Sequence, residues 1–129
     1  LSLVVLDASA LLALLQSERG AKIVADEIQG AAISAVNLGE AAQRQYRDGK
    51  TSTEFEAMAT AFALNIISVD GPLALDAAEI REIARQKGLS QADCICLALA
   101  KRLGVNAMTA DQKWLEIAGE VGVKVQVVR

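Results

Sequence analysis

Asp7, Glu40, Asp93 and Asp111 stand where an apolar strand gives way to a helix, or at the first turn of an apolar helix. Asp7 follows Leu3-Val4-Val5-Leu6 and Glu40 follows the stretch Ala31-Ala32-Ile33. Asp93 opens the run Ala92 to Leu99, and Asp111 follows Val105-Asn106-Ala107-Met108-Thr109. In a parallel sheet such positions gather at the carboxyl ends of the strands, where open α/β folds place their sites. Two carboxylates about 4 Å apart repel by roughly 4 kcal/mol at an effective dielectric of about 20, so a gathered set protonates, disorders or takes up a cation. The chain contains no His, which removes His general bases, Ser-His-Asp triads and His-ligated zinc. A site of oxygen donors alone favours Mg²⁺ or Mn²⁺. Such ions serve phosphoryl chemistry: they polarise the phosphate, lower the pKa of the attacking water and stabilise the leaving oxygen.

Each acid also has a plainer use at a helix N-terminus. Asn37-x-x-Glu40 fits a capping box, and Ser90-x-x-Asp93 fits one in weaker form. Asp111 could cap a helix over Gln112 to Val121, and Asp7 could open the helix that follows it. Capping serves one helix at a time, however, and needs no convergence. A parallel sheet would carry Asp7 and Asp111 to one edge, on neighbouring strands. Asp93 lies on a helix that is apolar nearly all round, so it is expected to be buried. A buried carboxylate needs a partner or a metal, and no Lys or Arg follows on that helix before Lys101.

Ser9 and Thr109 lie two residues from Asp7 and Asp111, so their hydroxyls are candidates to support a carboxylate oxygen or a metal-bound water. Capping by Ser9 and strand-end polarity for Thr109 explain them equally well. Asn37 and Ser34 compete for the cap of the third helix, and Asn37 also could face the site. Arg44 and Arg47 follow Glu40 by four and seven residues, on the same helical face. With Lys113 they are candidates to steer phosphates; the alternative for each is a solvated surface charge. Trp114 is expected to pack the last helix rather than to stack on a base.

The elements that must hold these residues follow from the apolar pattern. Strands are expected at Leu3–Leu6, Ala31–Ser34, Asn65–Val69, Val105–Thr109 and Val123–Val128. Helices are expected after a Ser9 cap, over Gly20–Ile28, Val36–Arg47 and Glu54–Leu64, from Gly71-Pro72 to Lys87, from Ser90 to Gly104, and over Gln112–Val121. In the fourth of these, Phe55, Met58, Ala59 and Phe62 should face inward. The alternation predicts an α/β three-layer sandwich, with a mostly parallel central sheet of about five strands flanked by helices. No linker, repeat or low-complexity stretch divides residues 1–129, so a single domain is expected.

Composition agrees. Of 129 residues, 53% are hydrophobic, 22% charged and only 3% aromatic, which calls for a core of Ala, Leu, Val and Ile. The net charge of −3 does not suggest a nucleic-acid binder, yet it does not exclude one, because bound cations cancel local carboxylate charge. Cys94 and Cys96 point about 200° apart on a helix, so they cannot chelate one ion and read as core residues. Free cysteines of this kind suggest a reducing, cytoplasmic setting. No apolar stretch is long enough to span a membrane free of charge. Leu1–Leu15 lacks a basic lead and contains Asp7, so it is not read as a signal sequence. The chain does not begin with Met, and its native start is expected upstream.

These residues resemble the PIN-domain nucleases, and among them the compact VapC-type toxins of toxin–antitoxin pairs. The resemblance rests on Val5-Leu6-Asp7-Ala8-Ser9-Ala10, on Ile33-Ser34-Ala35-Val36-Asn37-Leu38-Gly39-Glu40, on Gly88-Leu89-Ser90-Gln91-Ala92-Asp93 with Leu97-Ala98, and on Thr109-Ala110-Asp111-Gln112-Lys113-Trp114. Each motif alone is weak; their order and spacing across the whole chain are specific. The resemblance implies a metal-dependent endoribonuclease leaving a 5′-phosphate and a 3′-hydroxyl. It makes Asp7, Glu40, Asp93 and Asp111 the acidic set around Mg²⁺ or Mn²⁺. It also implies a homodimer and a cognate antitoxin that covers the site. Two phosphoryl-transfer rivals fit less well. A receiver domain wants an adjacent acidic pair after its first strand, with Asp7, Asp70 and Thr109 as a faint echo. A haloacid-type phosphatase wants Asp-x-Asp, where this chain has Asp7-Ala8-Ser9. The remaining alternative is a non-catalytic interaction module whose acids are only caps.

Overall fold

The computed structural model describes residues 3–129; the native start expected upstream of Leu1 lies outside them. One sheet holds the strands β1 (Val4–Leu6), β2 (Ala32–Ser34), β3 (Asn65–Ile67), β4 (Asn106–Thr109) and β5 (Val125–Val127). Their order is β3-β2-β1-β4-β5, and every neighbouring pair is parallel. The helices are α1 (Ala8–Leu15), α2 (Ala21–Glu27), α3 (Ala35–Arg47), α4 (Ser52–Ala61), α5 (Gly71–Ala84), α6 (Gln91–Leu103) and α7 (Ala118–Val121). Among the described residues no helix is long and apolar enough to cross a membrane.

The pleat of β1 divides the core. Val4 and Leu6 pack with Leu11 of α1, Val24 of α2, Ala41 of α3 and Phe55 of α4. Val5 points to the opposite face and packs with Leu73 and Ala77 of α5 and Leu97 of α6. Residues Cys94 to Ala100 of α6 are buried without a break, so this helix is enclosed on all sides, and both cysteines are free. Burial on both faces is why β1 reads as a continuous apolar run instead of an alternating one.

The topology fixes where a site can form. The chain steps from β1 to β2 to β3 on one side, then crosses back to place β4 on the other side of β1. That reversal opens a crevice at the carboxyl ends of β1 and β4. Leu6 pairs with both Ile33 and Met108, and the Asp7 N–H donates to the Met108 carbonyl at 3.1 Å. Asp7, Ser34 and Thr109 therefore share one edge of the sheet.

Local chemistry shifts several expected boundaries. Asp7, not Ser9, caps α1, its carboxylate accepting from the Ala10 N–H at 2.8 Å. Thr51 and Glu54 form the capping box of α4, whose Phe55 and Ala59 are buried while Met58 and Phe62 are only partly so. The helix expected from Gly71 to Lys87 is α up to Ala84 and a 3-10 turn over Arg85–Lys87 before Gly88. The helix expected over Gln112–Val121 is a 3-10 turn at Gln112–Glu116 followed by the short α7. Its i→i+3 bonds, Trp114 N–H to Asp111 and Ile117 N–H to Trp114, are both 3.3 Å long. This tighter winding coincides with complete burial of the Trp114 ring, which packs the core as expected.

Candidate active site

Asp7 leaves the end of β1 with only 4% of its surface exposed. Its Oδ1 accepts from the Ala10 N–H at 2.8 Å and the Ser9 hydroxyl at 2.8 Å. Its Oδ2 accepts from the Thr109 hydroxyl at 2.7 Å and from Ser9 at 2.9 Å. Ser9 in turn accepts the Ala110 N–H at 2.9 Å, and Thr109 accepts the Asp111 N–H at 3.1 Å. These two hydroxyls stitch the loops after β1 and β4 together around one carboxylate. Among the described residues no Lys or Arg forms an ion pair with Asp7. Burial consequently pushes its pKa from 3.8 to about 6, with Asp93 adding to the rise, while the bonds from Thr109, Ala10 and Ser9 oppose it.

Glu40 is held from beneath by Asn37. Ser34, not Asn37, caps α3: its hydroxyl accepts the Asn37 N–H at 3.0 Å and donates to Asn37 Oδ1 at 2.6 Å. That frees the fully buried Asn37 amide to donate to Glu40 Oε1 and to the Ala92 carbonyl, each at 3.2 Å. One side chain thus joins α3 to the start of α6. Glu40 is exposed along its length, yet its carboxyl is partly desolvated. That desolvation raises its pKa, the Asn37 bond opposes it, and Asp93 adds to the rise.

Asp93 departs from its expected burial and is half-exposed. Its Oδ2 turns back to accept the Ser90 N–H at 2.9 Å, while its own N–H donates to the Ser90 hydroxyl at 3.1 Å. This capping box holds the carboxylate at the mouth of α6 instead of letting it enter the apolar interior.

Asp7, Glu40 and Asp93 line one open cavity of about 360 Å³, together with Ser9, Arg47, Gln43 and Leu12. The same three acids act on the buried Cys96 thiol of α6, whose pKa is raised mainly by burial and further by their charges. Asp111 is outside this cavity. It accepts the Lys113 N–H at 2.9 Å as cap of the 3-10 turn, and reaches Asp7 through its own N–H and Thr109. Of the basic candidates, Arg47 lines the cavity. Arg44 pairs with Asp48 at 3.4 Å, and the Lys113 ammonium lies beside Gly88. Asp70, the receiver-like candidate, caps α5 and meets Arg102 at 3.3 Å, away from the acids. Gln43 was not foreseen: it follows Glu40 on the same helical face, but a Gln carries no signal beyond that spacing.

The donors suit a hard cation. They are oxygens only, and a buried carboxylate without a positive neighbour is the group a cation would stabilise. Among the described residues, no three of the acidic or thiol side chains stand close enough to ligate one ion together. Each acid is turned to a local donor instead: Asp7 to Thr109, Glu40 to Asn37, Asp93 to Ser90 and Asp111 to Lys113. Asp93 Oδ1 has no hydrogen bond among the described residues, so this acid has an oxygen to offer without giving up its cap.

This chain belongs to the PIN-domain family, whose profile matches residues 4–120. No curated protein matches it significantly. Among solved structures it is similar to VapC20 of Mycobacterium tuberculosis, described as a sarcin-ricin loop cleaving toxin, with a TM-score of 0.73 and 20% identity over 88% of this chain and 93% of that one. A toxin–antitoxin complex from Klebsiella pneumoniae gives 0.71 and 21%, covering 98% of both chains. DNA-bound VapBC from Salmonella typhimurium gives 0.68 and 17% over the full length of both. Identities this low establish the shared fold: a five-stranded parallel sheet between layers of helices.

Proposed function

We propose that this chain is a single-domain, metal-dependent endoribonuclease and the toxin of a VapC-type toxin–antitoxin pair, acting in the cytoplasm as a homodimer. The observation that carries this reading is Asp7: a buried carboxylate without a counter-charge, pushed up to about 6, on the wall of a cavity it shares with Glu40 and Asp93. The named relatives support a cleaving toxin with an antitoxin partner, since one is described as a sarcin-ricin loop cleaving toxin and one as a toxin–antitoxin complex.

In this reading Asp7, Glu40 and Asp93 hold Mg²⁺ or Mn²⁺, and Asp111 completes the set from across Thr109. The bound ion would supply an activated water and neutralise charge on the leaving oxygen. The protein's own contribution is orientation. Ser9 and Thr109 fix both oxygens of Asp7, so the carboxylate loses no rotational freedom when it binds. Asn37 does the same for one oxygen of Glu40. Arg47, on the cavity wall, is placed to take a substrate phosphate.

The test is cleavage of RNA by the purified chain with Mg²⁺ or Mn²⁺, with 5′-phosphate and 3′-hydroxyl ends on the products. Asp7→Asn and Asp93→Asn should each abolish it while the circular dichroism spectrum stays unchanged. A chain that cleaves no RNA, and whose thermal stability ignores both ions, is instead an interaction module with capping acids.

A further inference from the structure

A second groove is larger than the acid-lined cavity. It has a volume of about 600 Å³ and runs between the end of α5 and the start of α6. Arg81, Glu82 and Arg85 form one wall, and Gly88, Ser90 and Gln91 the other. Arg85 meets Glu82 at 3.5 Å, and the nearby Lys87 meets Glu116 at 3.0 Å. Arg81 has no ion-pair partner among the described residues, and neither has Lys113. The Lys113 ammonium lies 4.0 Å from where a side chain on Gly88 would begin, at the edge of this groove.

Two features join the groove to the acidic cavity. Ser90 lines the groove and is capped by Asp93, which lines the cavity. Lys113 is tied at its N–H to Asp111. The acids are thus bracketed by uncompensated cations, Arg47 in the cavity itself and Arg81 with Lys113 beyond it. In a chain of net charge −3, a polyanion approaching the acids is repelled unless cations flank them.

We propose that the α5–α6 groove binds the substrate strand beyond the bond being cut, with Arg81 and Lys113 holding backbone phosphates of single-stranded RNA. The assignment rests on the ribonuclease reading above and adds a second contact region to it. A strand held only at phosphates is recognised without regard to sequence, and its affinity falls with salt in proportion to the cations engaged.

The test uses the full chain carrying Asp7→Asn, so that RNA is bound and not cut, and oligouridylates of about 4 and about 16 nucleotides, which bracket the footprints of single-strand binders. Adding Arg81→Gln and Lys113→Gln should weaken binding of the longer oligomer by about tenfold and reduce the slope of log K against log salt by about 1.4. The shorter oligomer should change by less, and Lys124→Gln, on a different surface, should change neither. In the Asp7-bearing chain the same pair of substitutions should leave Mn²⁺ affinity unaltered. A slope that stays the same for the longer oligomer overturns the groove assignment, and so does failure of the Asp7→Asn chain to bind it at all. The ribonuclease reading falls on a separate result, absence of Mn²⁺-dependent cleavage by the unsubstituted chain.

Discussion

Asp7 is held in a setting that costs stability, as a buried carboxylate with no ion-pair partner among the described residues. In the unfolded chain its pKa is the ordinary 3.8, and in the fold burial raises it to about 6. Between these values the native state binds more protons than the unfolded one, so stability falls as pH rises through that window. Above it the full cost of about 3 kcal/mol applies. Asn at this position can accept from Ala10 and donate to Thr109 without carrying charge. In chelator, urea unfolding should therefore find Asp7→Asn more stable than the parent at about pH 7, by up to about 3 kcal/mol, and equal to it near about pH 3. Saturating Mn²⁺ should reverse the ranking at neutral pH, because only the parent gains from binding. Stability profiles of the two chains that run parallel across the whole pH range would contradict this. Thr109→Val removes the strongest bond opposing the rise, so the Asp7 pKa should climb further and the lower limb of the cleavage–pH profile should move to higher pH. At this scale the sequence exposes Asp7 and Asp111 through the strand–helix junctions at Leu6 and Thr109. It offers Asn37 both as a cap and as a residue facing the site, and cannot choose, because Ser34 and Asn37 are equally good caps until packing leaves the Asn37 amide beside Ala92.

Helix or turn starts carry Asp7, Asp93 and Asp111, so the stability of those starts should read directly on the candidate site. Ser90→Ala removes the hydroxyl of the α6 capping box and should cost about 1 kcal/mol by denaturant titration, while loosening Asp93 and weakening Mn²⁺ binding measured by calorimetry. A loss of stability with unchanged Mn²⁺ affinity would place Asp93 outside the metal site. The start of α2 depends on a different device. Gly20 has φ +95°, and a Cβ there would run into the Val128 carbonyl, close to the end of the chain. Gly20→Ala should lower stability by about 2 kcal/mol or more, from left-handed strain plus the clash, and a thermal midpoint unchanged from the parent would refute the close approach. Elements with strong punctuation are legible in the sequence: Gly104 ends α6, Pro72 opens α5, and the Val-rich run marks β1. The turn at Gln112–Glu116 is not, because its i→i+3 winding accompanies burial of Trp114 and leaves no trace in a helix-like apolar pattern. Asp93 misleads for a related reason: its helix is buried all round, but the cap bond to Ser90 keeps its carboxylate at the exposed mouth.

The whole molecule brings Asp7 and Thr109 within 2.7 Å at the reversal of strand order, on the paired neighbours β1 and β4. The fold is shared with solved structures at identities near 20%. A chain of net charge −3 can still be read as acting on RNA, because cations without ion-pair partners flank the acids, Arg47 in their cavity and Arg81 with Lys113 at the neighbouring groove. If the proposed homodimer forms, light scattering should give twice the 13.6 kDa chain mass at micromolar concentration, whereas the chain mass alone would refute it. The central claim is that the acidic cavity is a metal-dependent ribonuclease centre. Its most direct measurement is a gel assay of RNA incubated with the purified chain in chelator, in Mg²⁺ and in Mn²⁺, with Asp7→Asn run alongside. Cleavage with either ion, none in chelator, and a loss of at least about a hundredfold in Asp7→Asn is the predicted result. Cleavage that persists in chelator or in the Asp7→Asn chain, or no cleavage under any condition, would contradict it.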